Sequence, residues 1–270
     1  MKKIFFHNRA GKGQVASERN SCPMLPLSLV LIFSVFIFLS AAKAQRASPT
    51  PCPGVSDIRD CPTEGCGSGA DPDLNKMKNK GSPDGSTATL ETVQWMKELK
   101  NPRGADCRNR EKLQELGEGQ MIRVVAWALA ARKGSAETCN CKLSEPEDTD
   151  NHIVLVDPKL KRPTLKASEE HSVTAEFTPR VRLDHPNFTQ EKLESLIDPT
   201  WKAGQTAKKG KLLVRVTGQL MFDSEHYCGP FQLTRENDWE IHPVFKMEYC
   251  PEGEHCKSDS DENWVDLDSD

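Results

Sequence analysis

The sequence predicts a mainly β fold: a five-stranded Greek-key barrel with a helix between strands 3 and 4, plus an N-terminal helical or irregular extension. Three observations predict it. In residues 211–222, Leu212, Val214, Val216, Gly218, Leu220 and Phe222 fall on one face; Leu213, Arg215, Thr217, Gln219 and Met221 fall on the other. Residues 239–250 alternate in the same way. From Gly119 onward the elements run as three strands, a helix and two strands. Gly218, in mid-strand, marks a bend or a close backbone approach.

Residues 1–44 are set apart as a signal peptide. Lys2, Lys3, Arg9, Lys12 and Arg19 precede a run from Leu25 to Leu39, and Ala42-Lys43-Ala44 offers a small-x-small cleavage site. The run is about 15 residues, short of the roughly 20 that span a bilayer, so membrane attachment is expected only through an uncleaved signal. An exported chain, periplasmic or extracellular, is the prediction. Residues 1–44 hold six of the 36 basic residues and one of the 40 acidic ones, leaving 30 against 39, a net of −9. That balance excludes a general nucleic-acid binder, which needs a basic footprint.

Residues 45–85 form a Cys-, Pro- and Gly-rich tether, stapled locally through Cys52, Cys61 and Cys66. Residues 86–118 are a helical extension, in which Leu90, Val93, Met96 and Leu99 place a helix over 89–100. The barrel spans 119–250. Its first strand is 121–131, with Ile122, Val124, Ala126 and Ala128 facing inward; its second is 152–156 and its third 173–181. Thr189 caps a helix through Ile197, ended by Asp198-Pro199. Pro243 in the fifth strand implies an edge or a bulge. Residues 251–270 are an acidic tail, expected to be loosely docked or disordered.

This order is that of the OB-fold. Gly119-Gln-Met-Ile-Arg-Val-Val, Glu137-Thr-Cys-Asn-Cys, Asp150-Asn-His-Ile-Val-Leu, the Val-Thr-Gly ending at Gly218, and Trp239-Glu-Ile-His-Pro-Val together resemble an uncharacterised group of exported bacterial proteins with an OB-like barrel. The resemblance covers roughly residues 114–250. It implies a fold and a compartment and carries no activity across.

In that topology the loops between strands 1 and 2 and between strands 4 and 5 flank one binding face. Of ten cysteines, Cys22 lies in the leader, so an odd nine remain for disulfides. Length along the fifth strand separates Cys228 from Cys250, so Cys228 is expected to pair with Cys139 or Cys141, and Cys250 with Cys256. The sharper alternative is a zinc site of Cys139, Cys141, His226 and Cys228. A second constellation comprises Asp150, His152, Glu176, Arg180, Asp223, His226, Glu240 and His242. Of these, His152, Asp223, His226, Glu240 and His242 are the alternative catalytic set, for a metal-dependent hydrolase or phosphodiesterase using a divalent cation. Against it stands the lack of a nucleophile motif, phosphate loop or zinc-protease helix. The histidines are therefore expected to lie apart, each with its own partner. Trp127 and Trp201 are candidate stacking platforms. The function expected is non-catalytic binding on the barrel face, without a cofactor, of an oligosaccharide, a peptide or an envelope protein.

Overall fold

Two alternating strands and their partners close into a barrel in the computed structural model, which describes residues 52–82, 87–205, 210–229, 234–251 and 254–269. The signal peptide expected over residues 1–44 lies outside the described residues. The strands are β1 (Thr89–Thr92), β2 (Met121–Lys133), β3 (Asn151–Val156), β4 (Val173–Phe177), β5 (Leu212–Phe222), β6 (Trp239–Tyr249) and β7 (Val265–Asp266). Neighbours run β2-β3-β4-β6-β5, and β5 returns to β2 to close the ring. Only β4 and β6 pair in parallel within it. A closed five-stranded barrel of this order is compatible with the OB-like expectation, and its closure leaves no open sheet edge among these five strands.

β2 is the strand that makes closure possible. Its first part pairs with β5, Val124 opposite Val216, while Trp127–Lys133 pairs with β3. The register shifts between Ala128 and Ala130, and such a bulge bends a strand from one neighbour to the next. The inward faces of all five strands supply the core, with Val124, Ala126, Ile153, Ala175, Val216 and Val244 fully buried. Gly218 is required by close approach. A Cβ there would meet the Pro243 carbonyl oxygen at 2.4 Å and Ile241 Cγ2 at 2.5 Å. The pairing of β5 with β6 skips at this point, so His242 and Pro243 form a bulge. The expected explanation of Pro243 is the one observed.

The helix Gln190–Ile197 is capped by Thr189, whose hydroxyl accepts from Lys192 N. Leu193 and Ile197 pack on the core, and the buried Glu194 accepts from Ala131 N at 2.6 Å. Two boundaries and the state of the tail differ from expectation. The third strand stops at Phe177, because Pro179 opens a short helix through Arg182. Residues 89–100 divide into β1, parallel to β2, and a helix Val93–Lys97 capped by Thr92; Val93 and Met96 are buried, but Leu90 faces solvent. The tail is docked: β7 pairs with β6, Leu267 is fully buried, and Asp261 meets the buried Arg215, which also forks onto Glu248.

The segment 52–82 contains a helix, Pro72–Lys78, capped by Asp71, and buries Leu74, Asn75 and Lys78. Cys52 pairs with Cys66, Cys61 with Cys141, Cys107 with Cys228 and Cys250 with Cys256; Cys139 is a buried free thiol. The last pair is the one expected. The pairing of Cys228 with Cys139 or Cys141 is corrected. After β5 the chain turns into the helix Ser224–Tyr227, and Cys228 meets Cys107 of the 3-10 turn Gly104–Arg108 at a Cα separation of 6.3 Å. Cys141 instead faces the N-terminal segment, 5.8 Å from Cys61 between Cα atoms. Among the described residues no helix is long and apolar enough to cross a membrane.

Candidate functional site

Register brings the site together before any loop contributes. His152 on β3 lies opposite Glu176 on β4, and Thr174 lies opposite Glu240 on β6. His152 Nε2 is 3.5 Å from Glu176 Oε1, and His242 Nδ1 is 3.1 Å from Glu176 Oε2 and 3.0 Å from Glu240 Oε1. The β5–β6 connection adds the rest. Asp223 caps the helix Ser224–Tyr227 by accepting from His226 N, and its other oxygen binds His226 Nδ1. Arg235 then bridges the two acids, at 3.0 Å from Asp223 and 2.8 Å from Glu240. The result is one chain in which basic and acidic side chains alternate: His226, Asp223, Arg235, Glu240, His242, Glu176, His152.

A cavity of about 250 Å³ exposes both ends of this chain. His152, Thr174, Glu176, Asp223, His226 and Arg235 line it, and the Arg132–Glu169 ion pair stands at its rim. His152 and His226 are each about a third exposed, while His242 is fully buried. Behind the wall sits a second charged group. Lys78 reaches Glu137 at 2.6 Å, Asn140 donates to Asp150, and the Cys139 thiol lies 3.5 Å from Glu137.

Burial makes these charges interdependent. Burial works to raise Glu176, yet His152 and His242 hold it well below the usual carboxylate range. Burial works to lower His242, and Glu176 and Glu240 overcome it, holding the imidazole charged. Asp223 is likewise kept low against its burial by His226, Lys78 and Arg235, and its hydrogen bond raises His226. Glu240 is raised by burial and by Glu176 and Asp223. Asp150 is pushed up to about 7 by burial and by Glu137, a pressure that His242 only partly offsets.

Of the residues singled out from sequence, His152, Glu176, Asp223 and His226 meet in the cavity, with Glu240 and His242 directly behind it. The histidines are less separate than expected, because Glu176 joins His152 to His242. Arg180 is elsewhere, its guanidinium donating to the Cys61 carbonyl. The zinc quartet of Cys139, Cys141, His226 and Cys228 is not assembled, since Cys141 and Cys228 bond to other cysteines. Trp127 is covered by Lys211, whose Nζ lies 3.7 Å from the ring centroid, and Trp201 donates to the Gln205 carbonyl. Arg235, Lys78 and Glu137 were not anticipated.

Comparison with protein-family models, curated proteins and solved structures gave no match. No relative assigns a role to the cavity. Its chemistry has to be read from its own groups.

Proposed function

We propose that the chain is an exported binding module of OB-like architecture, whose ligand presents a polar group of an oligosaccharide or a peptide to this cavity. The observation that carries the reading is the junction of a buried chain of alternating basic and acidic side chains with a cavity that exposes its two terminal imidazoles. Fixing so many charges away from water is costly, and such groups hold donors and acceptors in place before a ligand arrives. The volume suits one polar unit of a larger molecule, since drug-sized sites are roughly 300–1,000 Å³. Four disulfides fit the compartment.

The test uses glycan and peptide arrays with Thr174→Trp, which fills the cavity and removes no charge. The wild type should bind one ligand class, and the variant should lose at least tenfold in affinity while keeping its melting temperature. No binding by the wild type, or equal binding by both, would overturn the reading. A metal-dependent phosphodiester hydrolase on the same face is favoured by one observation: His226, oriented by Asp223, shares the cavity with His152. Turnover of bis(p-nitrophenyl) phosphate that disappears in His226→Ala would install this second reading in place of the first.

A further inference from the structure

We propose that Asp150, Glu176 and His242 form a site for one divalent cation of the zinc or manganese kind, buried behind the cavity wall. Their ligand atoms all lie within 4.8 Å of one another. Ligands about 2.1 Å from a common ion stand roughly 3–4 Å apart, so small side-chain adjustments would complete the set.

The second observation is independent of that clustering. Asp150 Oδ2 and His242 Nε2 are completely buried and have no hydrogen-bond partner among the described residues. Buried polar atoms are ordinarily satisfied, and leaving one unmet costs about 1–3 kcal/mol. The other atom of each group is already held. Asn140 donates to Asp150 Oδ1 at 3.3 Å, leaving Oδ2 to be offered. His242 Nδ1 lies 3.0 Å from Glu240 and 3.1 Å from Glu176, leaving Nε2, whose proton an incoming ion would displace. Glu240 is held in turn by Arg235, and Glu176 is flanked by His152. A ligating histidine whose second nitrogen is bound to a carboxylate is the usual outer shell of a metal site.

Charge points the same way. Glu137, Asp150, Glu176, Asp223 and Glu240 crowd around Lys78, Arg235 and the charged His242, five carboxylates to three cations. A divalent ion would balance the excess. One nitrogen and two carboxylates form a donor set for zinc or manganese, whereas calcium prefers six to eight oxygens. None of the three proposed ligands is a cysteine, so the site is compatible with the oxidised state of the chain.

This goes beyond the cavity reading, because the ion can bind whether or not the cavity takes a ligand. The test is calorimetric titration of the chelator-treated full chain with zinc chloride and with manganese chloride, alongside elemental analysis. One equivalent should bind. Glu240→Gln, outside the ligand set, should weaken binding about 10–100-fold, and Asp150→Asn and His242→Gln should weaken it further. Cys139→Ser should keep the full equivalent. Circular dichroism establishes that each variant folds. Should the ligand variants fail to fold, the cobalt spectrum of the wild type decides, because oxygen and nitrogen ligation lacks thiolate charge-transfer bands. No uptake by the wild type, retained stoichiometry in folded Asp150→Asn and His242→Gln, or thiolate bands lost in Cys139→Ser would each overturn the proposal.

Discussion

Replacing Arg235 by methionine keeps the length of the side chain and removes the cation that holds Asp223 and Glu240 together. All three are nearly buried, Arg235 at 6 % side-chain exposure, Asp223 at 4 % and Glu240 at 1 %. Removing one partner of a buried ion pair costs about 3–5 kcal/mol, mostly because the remaining charge is stranded. For a folded region of this size, each kcal/mol moves the melting temperature about 2–4 °C, so Arg235→Met should melt roughly 6–20 °C lower at pH 7. The sign with pH follows from the acids. Glu240 already has a raised pKa, with Arg235 among the groups opposing the rise, so the variant raises it further and the penalty grows as pH climbs. Asp223 is held low by its partners, and the stability it contributes, present above about pH 3.9, is lost as pH falls through its folded value. Losing Arg235 reduces that contribution. The Glu240 effect makes the variant's deficit larger at pH 7 to 8 and smaller toward pH 5, where a proton can take the place of the missing cation, while the Asp223 effect is constant over that range and changes only below about pH 3.9. Thermal melts between pH 5 and 8 under non-reducing conditions measure it. A loss under 2 °C at pH 7, or a deficit that does not shrink in acid, would refute the reasoning.

Other expected outcomes concern the frame and the imidazole. Gly218→Ala should destabilise by at least about 1–3 kcal/mol, read from urea unfolding, because its Cβ meets backbone on β6 rather than a movable side-chain tip. Val216→Asp puts an unpaired charge at a fully buried position and should cost several kcal/mol; an unchanged melting temperature would contradict the facing of β5. Non-reducing peptide maps should show Cys107 linked to Cys228 and Cys61 to Cys141, with Cys139 alkylated only after unfolding. His226 should titrate above its ordinary value of about 6.5 in NMR and return toward it in Asp223→Asn. Its raised value means that the stability it contributes is complete below about pH 6.5 and lost as pH rises through the folded pKa.

Barrel strands were legible where one face is apolar and the other is not. The alternation from Leu212 to Phe222 sets both the strand and its inward face, and Gly218 announces a close approach. Leu90 misled, because it continues the helical spacing of Val93, Met96 and Leu99 but lies on the strand before the Thr92 cap. The helix at Pro72 was readable from Asp71-Pro72, a cap followed by proline at the first turn, although its polar sequence has no periodicity. Disulfide partners were not legible, since the path of Cys228 depends on a one-turn helix after β5. Half of the candidate site came from strand positions on the face away from the core, such as Glu176, Glu240 and His242, which alternate with Ala175 and Ile241 and are nonetheless buried. Arg235 and Lys78 could not be seen, because only the folded chain shows which buried acids need a cation.

The docking of Leu267 and β7 bears on the order in which the chain can be finished. The closed ring joins β2 to β5, and β6 lies between β4 and β5, so barrel closure waits for residues near 249. The core receives Leu267 later still. Chains dominated by such distant pairings fold slowly, and domains made from the N-terminus onward cannot close early. Until residues near 249 have emerged, the inward faces of β2 and β3 and the acids of the cavity remain uncovered together. Fragments ending before β6 should therefore be sticky and protease-sensitive rather than partly active.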